Sequence, residues 1–330
     1  TCEDETRNGE DMKAEKRTVK AEELKPPRLP PLFNDAFLKI FGSANSTPVT
    51  QPLLNAILRA VGLPEIEAIE RISADTSLPG GVACKSPRLD VLVVCDDGRL
   101  VDLEAQRSKV DLGAKSLFYA AKLLAEHTKK DSDVTYSAIP QVIVVVLLDE
   151  SKLFPKTDQF LSMCRMTWNV MPHPAIGPDN IIVVLAELEK VRMRYNGMSV
   201  EEVLQDMHGD ESLAWLYLLA EGYKDQKEAD AIMSSFPTME EFAQSYGIAM
   251  DDPDLKRAYD RYWESTIEYN SIMEEIRKEG TEQGLKEGRE RGLKEGREDL
   301  AHRLQELGVD EAILTLALNE AEGKAKPITG

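Results

Sequence analysis

The chain has 330 residues, of which 42% are hydrophobic and 30% are charged, and its formal net charge is −19. This length is enough for one large domain or two smaller ones, and the composition excludes a chain that is disordered throughout. No apolar run reaches the length of a membrane span, so no contact with a membrane is expected. Residues 191–330 alone carry a net charge of −14.

Cysteine and histidine usage restricts the chemistry further. The four cysteines form no CxxC pair, and the four histidines show no metal-ligand spacing. We therefore expect a reduced, intracellular protein without zinc, located in the cytoplasm, with nucleoid or nucleus as alternatives. The acidity argues against strong non-specific DNA binding, because neutralising phosphates requires clustered lysine and arginine, but it leaves room for a local basic groove.

The N-terminal part is predicted to be an arm followed by two helices. Residues 1–31 are highly charged, lack the apolar core of a signal peptide and end in PPRLPP, which predicts a disordered arm that stops before order begins. Apolar residues then recur at helical spacing in 32–42 and 48–64, and glycine closes both patterns.

Strand and helix patterns alternate over the next part of the chain. The predicted elements are a strand at 66–73, a hairpin at 88–106, a helix at 115–128, and strands at 139–149 and 180–188. Asp97-Gly98 is a typical hairpin turn, and the β-branched run at 139–149 is typical of a central strand that is covered on both faces. This order predicts an α/β domain over 32–195.

The remainder of the chain is predicted to be all α. It comprises a helical domain at 196–275, a glycine-punctuated repeat at 276–300 and a C-terminal helical hairpin with tail at 301–330. A capping box, Ser199 with Glu202, begins the helical part. The repeat glycines allow two interpretations, close packing against a second helix in a dimer or a charged spacer, and the scarcity of apolar residues favours the spacer.

Acidic residues line one face of the second hairpin strand. Asp102, Glu104 and Gln106 alternate with apolar residues, so their side chains point to one side of the strand. Asp90 on the first strand can lie near Glu104 across the pair. Converging carboxylates repel each other unless a hard cation such as Mg²⁺ lies between them, and such a cation activates water for phosphodiester hydrolysis. The alternative interpretation is a solvated surface face.

Asp90 followed by Glu104-Ala-Gln106 resembles the core motif of the PD-(D/E)XK nuclease superfamily. More narrowly, the chain resembles the recombination-promoting nuclease/transposase family, in which Glu-x-Gln stands in place of Glu-x-Lys. The segments that carry the resemblance follow each other from about residue 32 to 318. They include FNDAFLKIFG, LLNAILRAVGLP, DGRLVDLEAQ, IPQVIVVVLLD, LAWLYLL and the KEG repeat.

The resemblance implies a restriction-endonuclease-like mixed sheet flanked by helices and a Mg²⁺-dependent DNA endonuclease, with Mn²⁺ as a substitute ion. The implied metal ligands are Asp90, Glu104 and the backbone carbonyl of Ala105. Gln106 takes the place of the lysine and orients water or a phosphate oxygen. Asp35 is a candidate additional acid, and Lys85 is a candidate for the missing cation.

The implied partner is DNA, in recombination or transposition. The candidates for contacts with DNA are Arg88, Arg107 and Lys115. A homo-oligomer through the C-terminal helices is also expected. Two rival interpretations remain: a catalytically degenerate nuclease fold that only binds DNA or protein, and an interaction protein that self-associates through its glycine-rich tail.

Overall fold

The structure is a computed structural model that describes residues 28–78, 88–128, 139–165, 180–310 and 312–313. The chain divides into two compact units, Thr1–Arg261 and Tyr262–Gly330. The sheet and all but one of the described helices fall in the first unit, and the second unit is dominated by part of one long helix. The four domain boundaries that the sequence suggests, after residues 31, 195, 275 and 300, stay predictions.

The described elements are six strands and nine α-helices, numbered here in chain order. The strands are β1 (Ile69–Ser77), β2 (Arg88–Cys95), β3 (Leu100–Gln106), β4 (Val142–Leu148), β5 (Leu161–Arg165) and β6 (Ile181–Glu187). The helices are α1 (Asn34–Phe41), α2 (Thr47–Ala60), α3 (Leu112–His127), α4 (Leu188–Tyr195), α5 (Val200–Met207), α6 (Glu211–Ala220), α7 (Gln226–Ser235), α8 (Glu240–Asp251) and α9 (Pro253–Glu306). Short 3₁₀ turns occupy Gly222–Lys224 and Pro237–Met239.

The six strands form one mixed sheet in the order β1-β2-β3-β4-β6-β5. The pairs β1–β2, β2–β3 and β5–β6 are antiparallel, whereas β3, β4 and β6 run parallel. Every residue of β4 is buried, as its continuous β-branched sequence requires in a strand with helices on both faces. The predicted mixed sheet flanked by helices is confirmed.

The β2–β3 hairpin has the predicted turn and fixes which side chains share a face. Gly98 lies in the turn with φ +84°, a conformation that favours glycine. Val91 pairs with Leu103 and Leu92 pairs with Asp102. Directly opposed residues project to the same side of a sheet, so this register also brings Asp90 opposite Glu104.

Helix α3 covers the acidic face of the sheet, and the opposite face packs against other helices of the first unit. Ala120 and Leu123 of α3 pack in one hydrophobic cluster with Leu92 of β2 and Val144 of β4. On the other face, α1 contacts β1 and β2, and Gly42 at its end lies against Ala74 of β1. The cluster includes Leu100 at the start of β3, and Asp102 and Glu104 follow Leu100 along the same face.

Several predicted boundaries need correction. β1 begins at residue 69 and runs to 77, because the alternating pattern continues through the polar residues after the predicted end at 73. Helix α3 begins at Leu112, three residues before the predicted start. Strand β5 and helix α4 were not predicted from the sequence. The hairpin, β4, β6 and the capping box of α5 agree with the prediction.

The glycine repeat lies within helix α9. Among the described residues, nothing approaches within 4 Å of a Cβ atom built on Gly280, Gly284, Gly288, Gly292 or Gly296. Most of the predicted C-terminal hairpin lies outside the described residues. No described helix has the length and apolar composition that a membrane span requires.

Candidate active site

The carboxylates of Asp90 and Glu104 each accept a backbone hydrogen bond from the opposite strand at the open end of the β2–β3 hairpin. The backbone N–H of Asp90 donates to Glu104 Oε1 at 3.1 Å, and the backbone N–H of Ala105 donates to Asp90 Oδ2 at 3.0 Å. These two bonds lie just beyond the last backbone pair of the hairpin, Val91 with Leu103. This arrangement fixes the two side chains next to each other on the face that carries α3.

Glu104 is a buried carboxylate with donors on both oxygens. The residue is only 2% exposed. Its Oε2 accepts hydrogen bonds from Gln106 Nε2 at 2.9 Å and from Lys115 Nζ at 2.9 Å, in addition to the bond from Asp90 to Oε1. A buried carboxylate is stable only when it is paired and hydrogen-bonded, and these three contacts satisfy that requirement.

Asp90 is half-buried, and the pKa of its carboxyl group is raised. Burial, followed by the charge of Glu104, raises the pKa of Asp90 to about 6. The hydrogen bond from Ala105 and the charge of Lys115 act in the opposite direction but are smaller. A second carboxylate next to Asp90 therefore favours a further positive charge at this position.

Asp102 lies one step deeper on the same strand face and is completely buried. No donor among the described residues reaches either of its carboxyl oxygens. Burial first, and then the charges of Glu104 and Asp90, raise the pKa of Asp102 well above its usual range. Glu104 is itself an acceptor, so a hydrogen bond between the two carboxyl groups requires a proton on one of them.

The pair Asp90–Glu104 has the chemistry of a small cation site. Mg²⁺ is bound by one or two carboxylates plus carbonyl oxygens and water, so two neighbouring carboxylates are a sufficient acidic set. Oδ1 of Asp90 accepts no hydrogen bond from any described residue, and Oε1 of Glu104 accepts one. No group of three or more acidic, histidine or cysteine side chains with metal-binding geometry occurs in the described part of the chain. The residues therefore fit a site with two protein carboxylates.

The other residues named from the sequence lie in different surroundings. Asp35 is exposed on α1 and accepts a hydrogen bond from its neighbour Asn34, with no described contact to Asp90 or Glu104. Arg88 forms an ion pair with Asp75, and Arg107 donates from Nε to Glu150 at 3.0 Å. Lys85 lies outside the described residues.

Lys115 and Asp102 are the two parts of the site that sequence reasoning assigned incompletely. Lys115 appeared as a candidate for DNA contacts, whereas the structure puts its ammonium on Glu104. Asp102 was seen only as part of the alternation, although it is the most buried acid of the three. The period-2 pattern shows which face of β3 carries Asp102. It does not show how deeply that side chain is buried, or which helix residue lies above it.

Comparison with known proteins identifies the family. Neither the curated proteins nor the solved structures contain a match to this chain. The family model described as PD-(D/E)XK nuclease family transposase matches residues 32–275, which is well over half of the chain. The match includes the whole sheet and the Asp90–Glu104 hairpin, and it agrees with the mixed sheet flanked by helices. The chain therefore belongs to the PD-(D/E)XK nuclease family transposases.

Proposed function

We propose that the protein is a Mg²⁺-dependent DNA endonuclease that acts in DNA recombination or transposition. The observation that carries this proposal is the position of the Asp90 and Glu104 carboxylates at the end of the hairpin, where each accepts a backbone hydrogen bond from the opposite strand. The family membership supports a nuclease or transposition role. The two adjacent carboxylates supply the acidic pair that the chemistry of such a nuclease needs.

Three groups on the hairpin are proposed to hold Mg²⁺, or Mn²⁺ in its place. They are Asp90, Glu104 and the backbone carbonyl of Ala105. The N–H of Ala105 points toward β2, where it donates to Asp90, and the N–H and carbonyl of a strand residue point to the same side. The carbonyl is therefore expected on the side of Asp90. When bound, the ion acidifies a water molecule and offsets the negative charge that develops on the phosphate.

The proposed reaction is hydrolysis of one phosphodiester bond. The oxygen of a water molecule bonds to phosphorus as the water loses a proton to solvent. The bond between phosphorus and the leaving sugar oxygen breaks, that oxygen keeps the electron pair, and it takes up a proton. The products are one phosphate monoester end and one hydroxyl end. Gln106, whose amide donates to Glu104, is proposed to orient the water or a phosphate oxygen.

DNA phosphates are proposed to contact basic side chains at the edges of the site. Arg88 begins β2, two residues before Asp90, and its side chain is 70% exposed. Arg107 follows β3 directly and is also exposed. Both guanidinium groups are paired with carboxylates, so DNA binding requires exchanging Asp75 and Glu150 for phosphate. We expect the affinity for DNA to fall as the salt concentration rises.

A second candidate function is DNA or protein binding by a site that has lost catalysis. The hydrogen bonds that already occupy both oxygens of Glu104 favour it, because a metal must compete with these donors. The neutral Gln106 also favours it, since an amide stabilises developing charge less than an ammonium does. In this case DNA retention requires neither metal nor Asp90.

Nicking of supercoiled plasmid by the purified full chain distinguishes the two functions. We expect open circles in Mg²⁺ and in Mn²⁺, none in EDTA, and recovery when excess Mg²⁺ follows EDTA. An Asp90→Asn/Glu104→Gln preparation, purified in parallel, measures any contaminating nuclease. Plasmid that stays supercoiled with every metal, or nicking that persists in EDTA, contradicts the endonuclease proposal.

A further inference from the structure

The cation missing from the hairpin has a replacement on the covering helix. In the motif that the chain resembles, a lysine stands two residues after the acid, and this position holds the neutral Gln106. Lys115 of α3 approaches the same acid from above, with Nζ 2.9 Å from Glu104 Oε2. The amide of Gln106 donates to the same oxygen at 2.9 Å. The ammonium and the amide are therefore separated by no more than twice that distance.

The ammonium of Lys115 is held in place by a second contact besides Glu104. It lies 5.0 Å from the centre of the Tyr119 ring, one helical turn further along α3, a distance at which cation and ring attract. The side chain is 30% exposed, compared with 3% for Glu104, so a bound phosphate can reach the ammonium.

We propose that Lys115 is a catalytic residue whose ammonium contacts the scissile phosphate and supplies the positive charge that Gln106 lacks. The proposal rests on the proposed nuclease function and assigns one more residue to the same site. Charge that develops on the phosphate oxygens during attack by water is stabilised by a fixed cation more than by an amide. Lys115 is thus more than a counter-ion for Glu104.

A purely structural role for Lys115 makes a different prediction. If the ammonium only held Glu104 in place, a glutamine that still donates a hydrogen bond would preserve much of this role. Any remaining loss of cleavage activity would then come from weaker metal binding, because Glu104 is a proposed metal ligand. A catalytic role instead reduces the cleavage rate at saturating metal and leaves metal affinity nearly unchanged.

The test compares Lys115→Gln, Lys115→Arg and the double variant Lys115→Gln/Gln106→Lys with wild type. Lys224→Gln is the matched control, because Lys224 is a partly exposed lysine that binds Glu221 at 2.8 Å on a distant turn. Single-turnover nicking is measured at saturating Mg²⁺, Mn²⁺ affinity by calorimetry, and folding by circular dichroism.

For Lys115→Gln we expect nicking to slow by about 100-fold to 1,000-fold, with Mn²⁺ affinity within about threefold of wild type. Lys115→Arg keeps the charge and should lose about tenfold or less. Gln106→Lys in the Lys115→Gln background should recover at least about tenfold, because it returns a cation to the oxygen of Glu104 that Lys115 contacted. Lys224→Gln should nick at the wild-type rate.

Wild-type nicking by Lys115→Gln would overturn the inference and leave the nuclease proposal intact. A slower rate that is matched by weaker Mn²⁺ binding, and not recovered by Gln106→Lys, would assign Lys115 a positioning role and also overturn it. If Lys115→Gln fails to fold, an arginine variant that is folded but nicks no faster than the EDTA control would overturn it. Absence of nicking by the wild-type protein would reject both proposals together.

Discussion

An Asp90→Asn variant is expected to nick plasmid about 1,000-fold more slowly than wild type. Asparagine keeps the size of the side chain and an oxygen that accepts from the N–H of Ala105. It removes the negative charge, and a bound metal ion contributes several kcal/mol to such a reaction, where about 1.4 kcal/mol corresponds to a tenfold change in rate. Because burial and Glu104 raise the pKa of Asp90, the loss of charge should not destabilise the fold.

Asp97→Asn is the matched control for this prediction. Asp97 lies in the turn of the same hairpin, at the opposite end from Asp90, and Asn-Gly is as compatible with the turn as Asp-Gly. We expect this control to nick within about twofold of wild type. Equal rates for Asp90→Asn and wild type, with metal-dependent nicking in both, would show that the reaction occurs without Asp90.

Asp102→Asn is expected to stabilise the metal-free protein. A carboxyl group that is completely buried without a donor makes folding less favourable, because it must either lose its hydration as an anion or retain a proton. Asparagine has nearly the same shape and no charge. Its amide can donate to a neighbouring acceptor such as Glu104, the group that most affects Asp102 after burial. The structure therefore predicts a higher free energy of unfolding for the variant at neutral pH.

The gain for Asp102→Asn should grow as the pH rises. The folded protein has the higher pKa at this group, so above about pH 4, the usual value in an unfolded chain, folding must take up a proton. The resulting penalty is absent below that pH and increases by up to about 1.4 kcal/mol per pH unit until the pKa of the folded state is reached.

Urea denaturation of both proteins at pH 5 and pH 7, in EDTA, measures this difference. We expect the advantage of the variant to be about 1–3 kcal/mol larger at pH 7 than at pH 5. An advantage that is the same at both pH values would mean that Asp102 does not take up a proton on folding. A less stable variant at pH 7 would mean that the carboxylate has a stabilising partner.

The hairpin and the face of its acids could be predicted because the signals are local. Asp97-Gly98 determines the turn, the turn determines the register, and the register determines that Asp90 and Glu104 share a face. The same argument applies to β4, whose wholly apolar and mostly β-branched sequence is typical of a strand with helices on both faces. The family resemblance extended this local argument to the fold, and the family match confirmed it.

The position of Lys115 and the depth of Asp102 could not be predicted in this way. Both depend on where α3 crosses β3, which is decided by packing of α3 against β4 and β6. The sequence gives α3 an apolar face but does not say which turn of the helix lies above Glu104. The position of α3 on the sheet leaves Asp102 completely buried and the side chain of Lys115 partly exposed.

Two elements were missed because their patterns are short or continuous with a neighbour. β5 has only five residues, LSMCR, at the edge of the sheet, and its alternation is too brief to separate from a loop. Helix α4 follows β6 without a break, so that Glu187 ends the strand and stands directly before the first residue of the helix. The run NIIVVLAELEK therefore reads as a single strand with a polar end.

Calorimetric titration of Mn²⁺ into the wild-type chain, Asp90→Asn and Glu104→Gln tests the central claim most directly, because it asks whether the paired carboxylates form one metal site. Each of the two carboxylates is held against the opposite strand by a backbone hydrogen bond. We predict binding of Mn²⁺ by the wild-type chain, weakened at least about tenfold in each variant and unchanged in Asp97→Asn. Identical binding isotherms for wild type and both site variants would contradict a metal site on this hairpin.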